Sequence, residues 1–396
     1  MPRAVALCLA AWALTLLVVP LGGQGTSPRP GDPLPGITPR EFEAFRAGQH
    51  AFTEVETVDD GLGPAFNATS CAACHSVPAI GGISPMVEVR AGHRDPDGSF
   101  RALDAAGNTL FQTFSLPNHV CQPVLPPEMN VIARRMPIPL FGAGLVEAIP
   151  DETLLALADP LDRNRDGSAG RASIVVDPAT GERRVGRFGW KAQVATLLTF
   201  SGDAYRNEMG ITNDIFPTEL AFGIPADQMK HCDLTSDPED RVDQATGLRD
   251  IDLFAAFMKL LAPIGRGPID DAVREGERIF GAIGCSACHV PALTTGSSVN
   301  PLFDRRTVAL YSDLLLHNIG TGDGIRQADS TASPDEIRTP ALWGLRLRRP
   351  FLHDGSAATI EDAVSRHSGE AQLAKQGFVR LDNGSRVALL AFLQSL

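Results

Sequence analysis

The pentapeptide Cys-x-x-Cys-His occurs twice, at Cys71-Ala72-Ala73-Cys74-His75 and at Cys285-Ser286-Ala287-Cys288-His289. At this composition chance supplies about 0.003 copies in a chain of this length, so two are not accidental. Thiols at i and i+3 can add across the two vinyl groups of haem. The next imidazole then faces the iron as proximal ligand, and the pentapeptide is the attachment signature of c-type haem. A thioredoxin-like pair or half a zinc site needs no trailing His and predicts no shared flanking sequence. Two covalently bound haem c groups are therefore expected, on Cys71, Cys74, Cys285 and Cys288, with His75 and His289 as iron ligands.

The flanks repeat as well. Gly48-x-x-x-Phe52 precedes the first pentapeptide and Gly276-x-x-x-Phe280 the second. Thr38-Pro39-Arg40-Glu41 announces a helix, with Thr38 as N-cap, Pro39 at the first helical position and Glu41 closing a capping box. Phe42, Phe45 and Phe52 share one stripe of it. A second such helix is expected from Ile269. Each haem motif is later followed by an amphipathic segment, 252–261 in one case and 387–393 in the other. A small residue in the first helix lets the last cross closely, while aromatics cover the haem edge. This arrangement resembles the cytochrome c fold. The expected fold class is mainly α, two cytochrome c-like domains, the first with β-hairpin insertions. Ser99–Leu103 and Thr109–Phe114 around Ala106-Gly107-Asn108 predict one hairpin, and Ser173–Val176 with Arg183–Gly186 another.

The first residues read as an export signal. Arg3 is followed by an apolar stretch of 16 residues from Ala4 to Val19, short of the ~20 that span a bilayer. Gly22-Gly23-Gln24-Gly25 then suits cleavage. The expected organisation is 1–22 signal peptide, 23–37 linker, 38–263 first domain and 268–396 second domain, with an uncleaved anchor left open. Cys8 falls inside the apolar run as filler. Export points to the periplasm and would let Cys121 and Cys232 form a disulfide. The net charge of −12 argues against nucleic acid and suits a basic redox partner.

Further along, Thr339-Pro340-Ala341-Leu342-Trp343-Gly344 and Pro350-Phe351-Leu352-His353-Asp354-Gly355 resemble the C-terminal domain of bacterial di-haem cytochrome c peroxidases. With Phe188-Gly189-Trp190-Lys191-Ala192, Glu208-Met209-Gly210-Ile211-Thr212 and Leu314-Leu315-Leu316-His317, residues 38–396 resemble the sister family called di-haem oxidoreductase, putative peroxidase. Some of its members are labelled thiol oxidoreductases. The resemblance implies an oxidoreductase that reduces hydrogen peroxide with electrons from a small donor protein, a cytochrome c or cupredoxin. Its relatives are commonly homodimers.

The same resemblance implies site residues. Fourteen residues past His353, where the peroxidases carry an axial Met, stands His367, a second iron ligand opposite His289. His353 is expected beside the iron's ligands, not among them. Glu147, in the apolar stretch 140–152, takes the place of the catalytic acid/base. The peroxidases' distal Gln has no clear counterpart; Arg134 or Arg135 could stabilise charge on the leaving oxygen, and Arg135 is the one singled out. His93, eighteen residues past His75 on an expected loop, is the candidate displaceable ligand, with His119 and Met209 as rivals. Trp190 and Trp343 are candidates to lie between the haems. Separately, Asp162-x-Asn164-x-Asp166-Gly167 matches the first half of a calcium loop, but Ser173 replaces the bidentate Glu. Two other readings stay open: a non-enzymatic di-haem electron carrier, and a haem oxidase of a sulfur or other organic substrate.

Overall fold

A computed structural model describes residues 28–396 apart from 105–106, 118–120 and 234. The expected signal peptide and His119 lie outside the described residues. Six helices position the features discussed below: α1 (Pro39–Thr53), α2 (Leu197–Met209), α3 (Asp250–Leu260), α4 (Asp271–Ala282), α5 (Ile360–Arg366) and α6 (Asn383–Ser395). At the start of α1, Glu41 N donates to Thr38 Oγ1 at 3.2 Å and Thr38 N to Glu41 Oε2 at 2.7 Å. That is the expected capping box, and it satisfies two backbone donors that the first turn leaves without partners. α4 is capped instead by Asp270, which accepts from Val273 N at 2.9 Å.

The repeat in the sequence is a repeat of helix crossings. α1 crosses α3 at Gly48, where a Cβ would stand 2.9 Å from Phe257 Cβ and collide with Leu253 O. α4 crosses α6 at Gly276, where a Cβ would stand 2.7 Å from Phe392 Cβ and collide with Ala388 O. These approaches set two equivalent aromatic stacks. Phe52 lies 5.0 Å from Phe257 and 6.1 Å from His75. Phe280 lies 5.2 Å from Phe392 and 6.3 Å from His289. Phe257 and Phe392 are fully buried, each contributing about 1.5–3 kcal/mol of apolar burial. The larger core around Phe45, Phe52 and Phe257 also takes in Leu293, Phe303, Leu310 and Leu314 from beyond residue 268. The smaller one gathers Phe280, Tyr311, Phe378 and Phe392.

Helix makes up 31% and strand 12%, so helix outweighs strand, but the larger share is loop. The first unit is the reason: its insertions are held by turns, which the 38 glycines and 30 prolines of the chain favour. Ile174–Val176 and Arg183–Val185 form the expected hairpin. The other hairpin is corrected. Its two expected strands, Phe100–Arg101 and Leu110–Phe111, do not pair with each other; both pair with a strand not foreseen, β1 (Glu88–Arg94), which also pairs with β2 (Val131–Arg135). β1 alternates charged with small or apolar residues and buries Arg90 together with Ala91 and Gly92, so its apolar pattern is faint. The expected linker is also held in place over its described part. Leu34 is buried, its N–H donates to Leu260 O at 2.7 Å, and Ala262 N donates to Asp32 O at 3.0 Å. Among the described residues no helix is long and apolar enough to cross a membrane.

The two crossings generate a prediction. Gly48→Ala and Gly276→Ala should each destabilise the holo-protein by roughly 1–3 kcal/mol through overpacking. Gly281→Ala, on the same α4 with nothing within 4 Å of its added Cβ, should be neutral or stabilising. Chemical denaturation of the three variants checks this; equal effects at Gly276 and Gly281 would remove the packing argument.

Candidate functional site

Each pentapeptide opens onto its own cavity. The C-terminal one, about 250 Å³, is lined by Cys285, Cys288, His289, His367, Arg338 and Arg348 among others. His289 Nδ1 donates to Tyr311 O at 3.0 Å, which leaves Nε2 with its lone pair for a metal. His367, at the end of α5, donates from Nδ1 to Ala363 O at 2.8 Å. Burial, and then the neighbouring His367, push His289 down to about 4, and burial lowers His367 too. Both rings are therefore neutral, the form that coordinates iron. His353 lines the same cavity.

The N-terminal cavity is larger, about 460 Å³, and polar in a different way. His75 Nδ1 donates to Gly82 O at 2.9 Å, as His289 does to its own carbonyl. Glu88, Arg90, Arg135, Asp203, Glu208 and Met209 share the cavity wall. Arg90 is ion-paired with Glu88. Asp203 and Glu208 project from α2. Burial, then the charge of Glu88, raises Glu208 to about 7. Burial, then Asp329, raises Asp203 as well. Glu208 Oε2 accepts from Asn67 Nδ2 at 2.8 Å.

The residues fit haem in both places. The four thiols are unpaired, and burial pushes Cys71, Cys74 and Cys285 far up, Cys74 and Cys285 to about 12. A thioredoxin-like pair needs the opposite shift. Buried cations also face each cavity. Arg135 Nη2 is buried with no hydrogen-bond partner among the described residues. Among the described residues Arg338 and Arg348 make no ion pair and bond only to carbonyls, Gly189 O and Thr339 O for the first, Leu352 O for the second. Burial lowers each to about 10. Guanidiniums short of anions suit carboxylates such as the haem propionates. Trp190 alone among the described residues lines both cavities. Its Nε1 donates to Met136 O at 2.8 Å, and the Arg348 guanidinium lies 5.6 Å from its ring. Trp343 instead packs on Gly142 and lines neither cavity.

Several expected residues stand elsewhere. Glu147 lines neither cavity; its Oε1 accepts from Leu197 N at 2.7 Å, at the first turn of α2, and its Oε2 lies 4.0 Å from Lys259 Nζ. The helix N-terminus attracts this carboxylate, and the cavity lies toward the other end of α2. His93 is on strand β1, not on a loop. Side chains alternate across a strand, so while Glu88 and Arg90 line the cavity, His93 points the other way. Its Nδ1 is bonded to Glu128 O, and its Nε2 lies 3.3 Å from Asp95 Oδ1. Its rival Met209 does line the cavity. Arg135 lines the N-terminal cavity. Asp162, Asn164 and Asp166 share one loop, but Asp162 Oδ1 accepts from Gly167 N at 3.2 Å and Asp166 Oδ1 from Ser168 N at 2.8 Å. These bonds close an acidic turn on its own backbone. Cys121 and Cys232 are disulfide-bonded, with Cα atoms 6.0 Å apart.

Two charged residues at or beside the cavities were missed from sequence. Glu208 lay inside a quoted signature, and the sign of its role was an acidic residue five positions after Asp203 on a helix with a buried face. The other is Asp323, 2% exposed on its side chain. It accepts from Arg135 Nε at 2.7 Å and lies 3.1 Å from Lys191 Nζ. Burial alone would raise it, but Arg135 and Lys191 hold it at about 2.

A family model described as "Di-haem oxidoreductase, putative peroxidase" matches residues 127–396. Among solved structures, the chain is similar to hydrazine synthase of Kuenenia stuttgartiensis, at 15% identity over 100% of both chains with a TM-score of 0.43. It is similar to the diheme peroxidase BthA of Burkholderia thailandensis, at 15% identity over 93% of this chain and 86% of that one, TM-score 0.42. A MauG-like protein associated with microbial copper homeostasis is 19% identical over 71% of this chain and 94% of its own, TM-score 0.32. Likenesses this loose carry no functional weight. No curated protein matches the chain.

The buried charge cluster yields a prediction. Asp323→Asn should destabilise the holo-protein by about 3–5 kcal/mol, because it leaves Lys191 buried without its anion and Arg135 with only Glu88, 3.7 Å away. Urea denaturation checks it; a loss under 1 kcal/mol would show that the cations find other partners.

Proposed function

The chain belongs to the di-haem oxidoreductase, putative peroxidase family, and from that premise we propose that it reduces hydrogen peroxide to water in the periplasm. The electrons come from a small redox protein. Haem c is attached through Cys71 and Cys74 in the unit 38–263 and through Cys285 and Cys288 in the unit 268–396. His75 and His289 are the proximal ligands. When bound, the N-terminal iron supplies the coordination site for peroxide and the electrons that cleave its O–O bond.

One observation carries the reading: half-buried carboxyl groups and a guanidinium with a nitrogen unpartnered among the described residues share the N-terminal cavity with His75. Glu208, raised to about 7, is poised near neutral pH, where a group that both takes and returns a proton works best. It accepts the proton of the attacking peroxide oxygen and delivers it to the departing one. Arg135, through Nη2, stabilises the negative charge that develops there. With two electrons and two protons, one peroxide gives two waters. Glu208 thus takes the role that the sequence suggested for Glu147. At the C-terminal cavity, His289 and His367 supply two neutral imidazoles for one iron, which favours electron transfer over substrate binding. Trp190, shared by both cavities, is the bridge for electrons between them. A second reading, oxidation of an organic substrate at the N-terminal cavity, is favoured by its volume, 460 against 250 Å³.

The test is peroxide-dependent oxidation of reduced cytochrome c by the holo-protein. Glu208→Gln should lower kcat/KM by about 10²–10⁴-fold, while Glu147→Gln leaves it near wild type. The wild-type kcat/KM should rise with pH through about 7, as Glu208 ionises to its proton-accepting form, and the Gln variant should lose that rise. Equal activity in Glu208→Gln and wild type would remove Glu208 from the mechanism. Absence of any turnover would favour the organic-substrate reading or a simple electron carrier. Trp190→Phe should slow turnover with both haem spectra unchanged; unaltered turnover would exclude it as the bridge.

A further inference from the structure

Away from both cavities, four carboxylates from two loops converge. One oxygen each from Glu219, Asp233, Asp237 and Glu239 lies within 4.8 Å of the others. None of the four makes an ion pair among the described residues. Acidic clusters are common on surfaces, but this one has a buried member. Glu219 is 9% exposed, and its Oε1 is buried without a hydrogen-bond donor among the described residues. A carboxylate there is costly unless a cation meets it.

We propose that Glu219, Asp233, Asp237 and Glu239 form a binding site for a calcium ion, separate from the acidic loop at Asp162. The donor set contains only hard oxygens, with no thiol or imidazole, which selects calcium over zinc or copper. The ligands come from two loop segments rather than one rigid element, which suits the variable geometry of calcium better than the strict octahedron of magnesium. The remaining bonds orient the group without using it up. Glu239 Oε2 accepts from Thr212 N at 2.7 Å, Glu239 Oε1 from Thr235 Oγ1 at 3.0 Å and Asp233 Oδ1 from Thr235 N at 3.0 Å. Asp237 Oδ1 accepts from Thr212 Oγ1 at 3.3 Å, and among the described residues no hydrogen bond engages either Glu219 oxygen or Asp233 Oδ2. The electrostatics agree: burial, then Asp233, Glu239 and Asp237, push Glu219 up to about 10, and burial, then Glu239, raises Asp237 to about 6.

The site sits at a junction. The loop is tied at Cys232 by the disulfide to Cys121. Thr212 follows α2, whose residues line the N-terminal cavity. Asp240, next after Glu239, accepts from Asp250 N at 2.9 Å at the start of α3. A bound cation would fasten the end of α2 to the start of α3.

The experiment is calcium titration of the chelator-stripped holo-protein by isothermal titration calorimetry, with thermal denaturation followed alongside. Wild type should bind calcium saturably and melt at higher temperature with it. Glu219→Gln or Asp237→Asn should remove one bound calcium or weaken it at least about tenfold. Asp237 is exposed, so its variant tests the site even if Glu219→Gln folds poorly. Native haem absorbance checks that each variant is folded. No calcium uptake by wild type, or stoichiometry and affinity unchanged in both variants, would overturn the proposal.

Discussion

The Asp323 carboxylate, shared between Arg135 and Lys191, is the contact on which both cavities lean. Arg135 ends strand β2 and lines the N-terminal cavity, while Lys191 follows Trp190, which lines both. Such a buried ion group is stabilising only when its remaining hydrogen-bonding capacity is filled. Lys191 Nζ meets that condition, donating to Ser333 O, Pro334 O and Glu336 O at 2.7–3.2 Å. Arg135 meets it less fully. Its Nε and Nη1 are engaged by Asp323 and Gln327, and Nη2 is not. Nη2 is thus the one nitrogen of the cluster without a partner among the described residues.

Around that contact the molecule repeats itself and then breaks the repeat. The glycine crossings, the phenylalanine beside each histidine and the carbonyl that fixes each imidazole are the same in both halves. What differs is the far wall of each cavity. One has His367 and guanidiniums that lack carboxylate partners; the other has Glu88, Asp203 and Glu208. On a shared scaffold, one cavity thus carries neutral imidazole and the other titratable acids, and the proposed division between electron relay and proton handling rests on that contrast. The difference in residues, more than the difference in volume, supports assigning chemistry to the N-terminal side.

How far this was legible in the sequence follows from the range of each interaction. Gly48 with Phe52, Gly276 with Phe280 and the Thr38 cap depend on spacings within one or two turns, and these were read correctly. His367 depends on a fixed offset along one short segment, and it lies in the expected cavity. Glu147 and His93 depend on longer geometry. Which end of α2 a distant carboxylate reaches is not written near Glu147, and the face on which His93 falls is set by a strand register with residues 131–135. Glu208 was overlooked because its meaning comes from burial beside Glu88 and Asn67, more than a hundred residues away. Arg135 lines the N-terminal cavity because its strand pairs with residues 88–92.

The cysteines carry the last step. Cys121 and Cys232 form a disulfide across 111 residues, a bond that oxidising compartments favour. In such a compartment Cys71 with Cys74, and Cys285 with Cys288, would be exposed to the same oxidant. Each pair sits in a tight turn, Cys71–Cys74 helical and Cys285–Ala287 a 3₁₀ turn, and burial keeps Cys71, Cys74 and Cys285 protonated, which slows their attack as thiolates. Slow oxidation is still oxidation. Consumption of the thiols as thioethers to haem removes the conflict, because no sulfur is then left to pair. One disulfide and two unpaired Cys-x-x-Cys motifs in a single chain are thus mutually consistent when the haems are attached covalently, and that favours c-type attachment over a haem held by histidine alone.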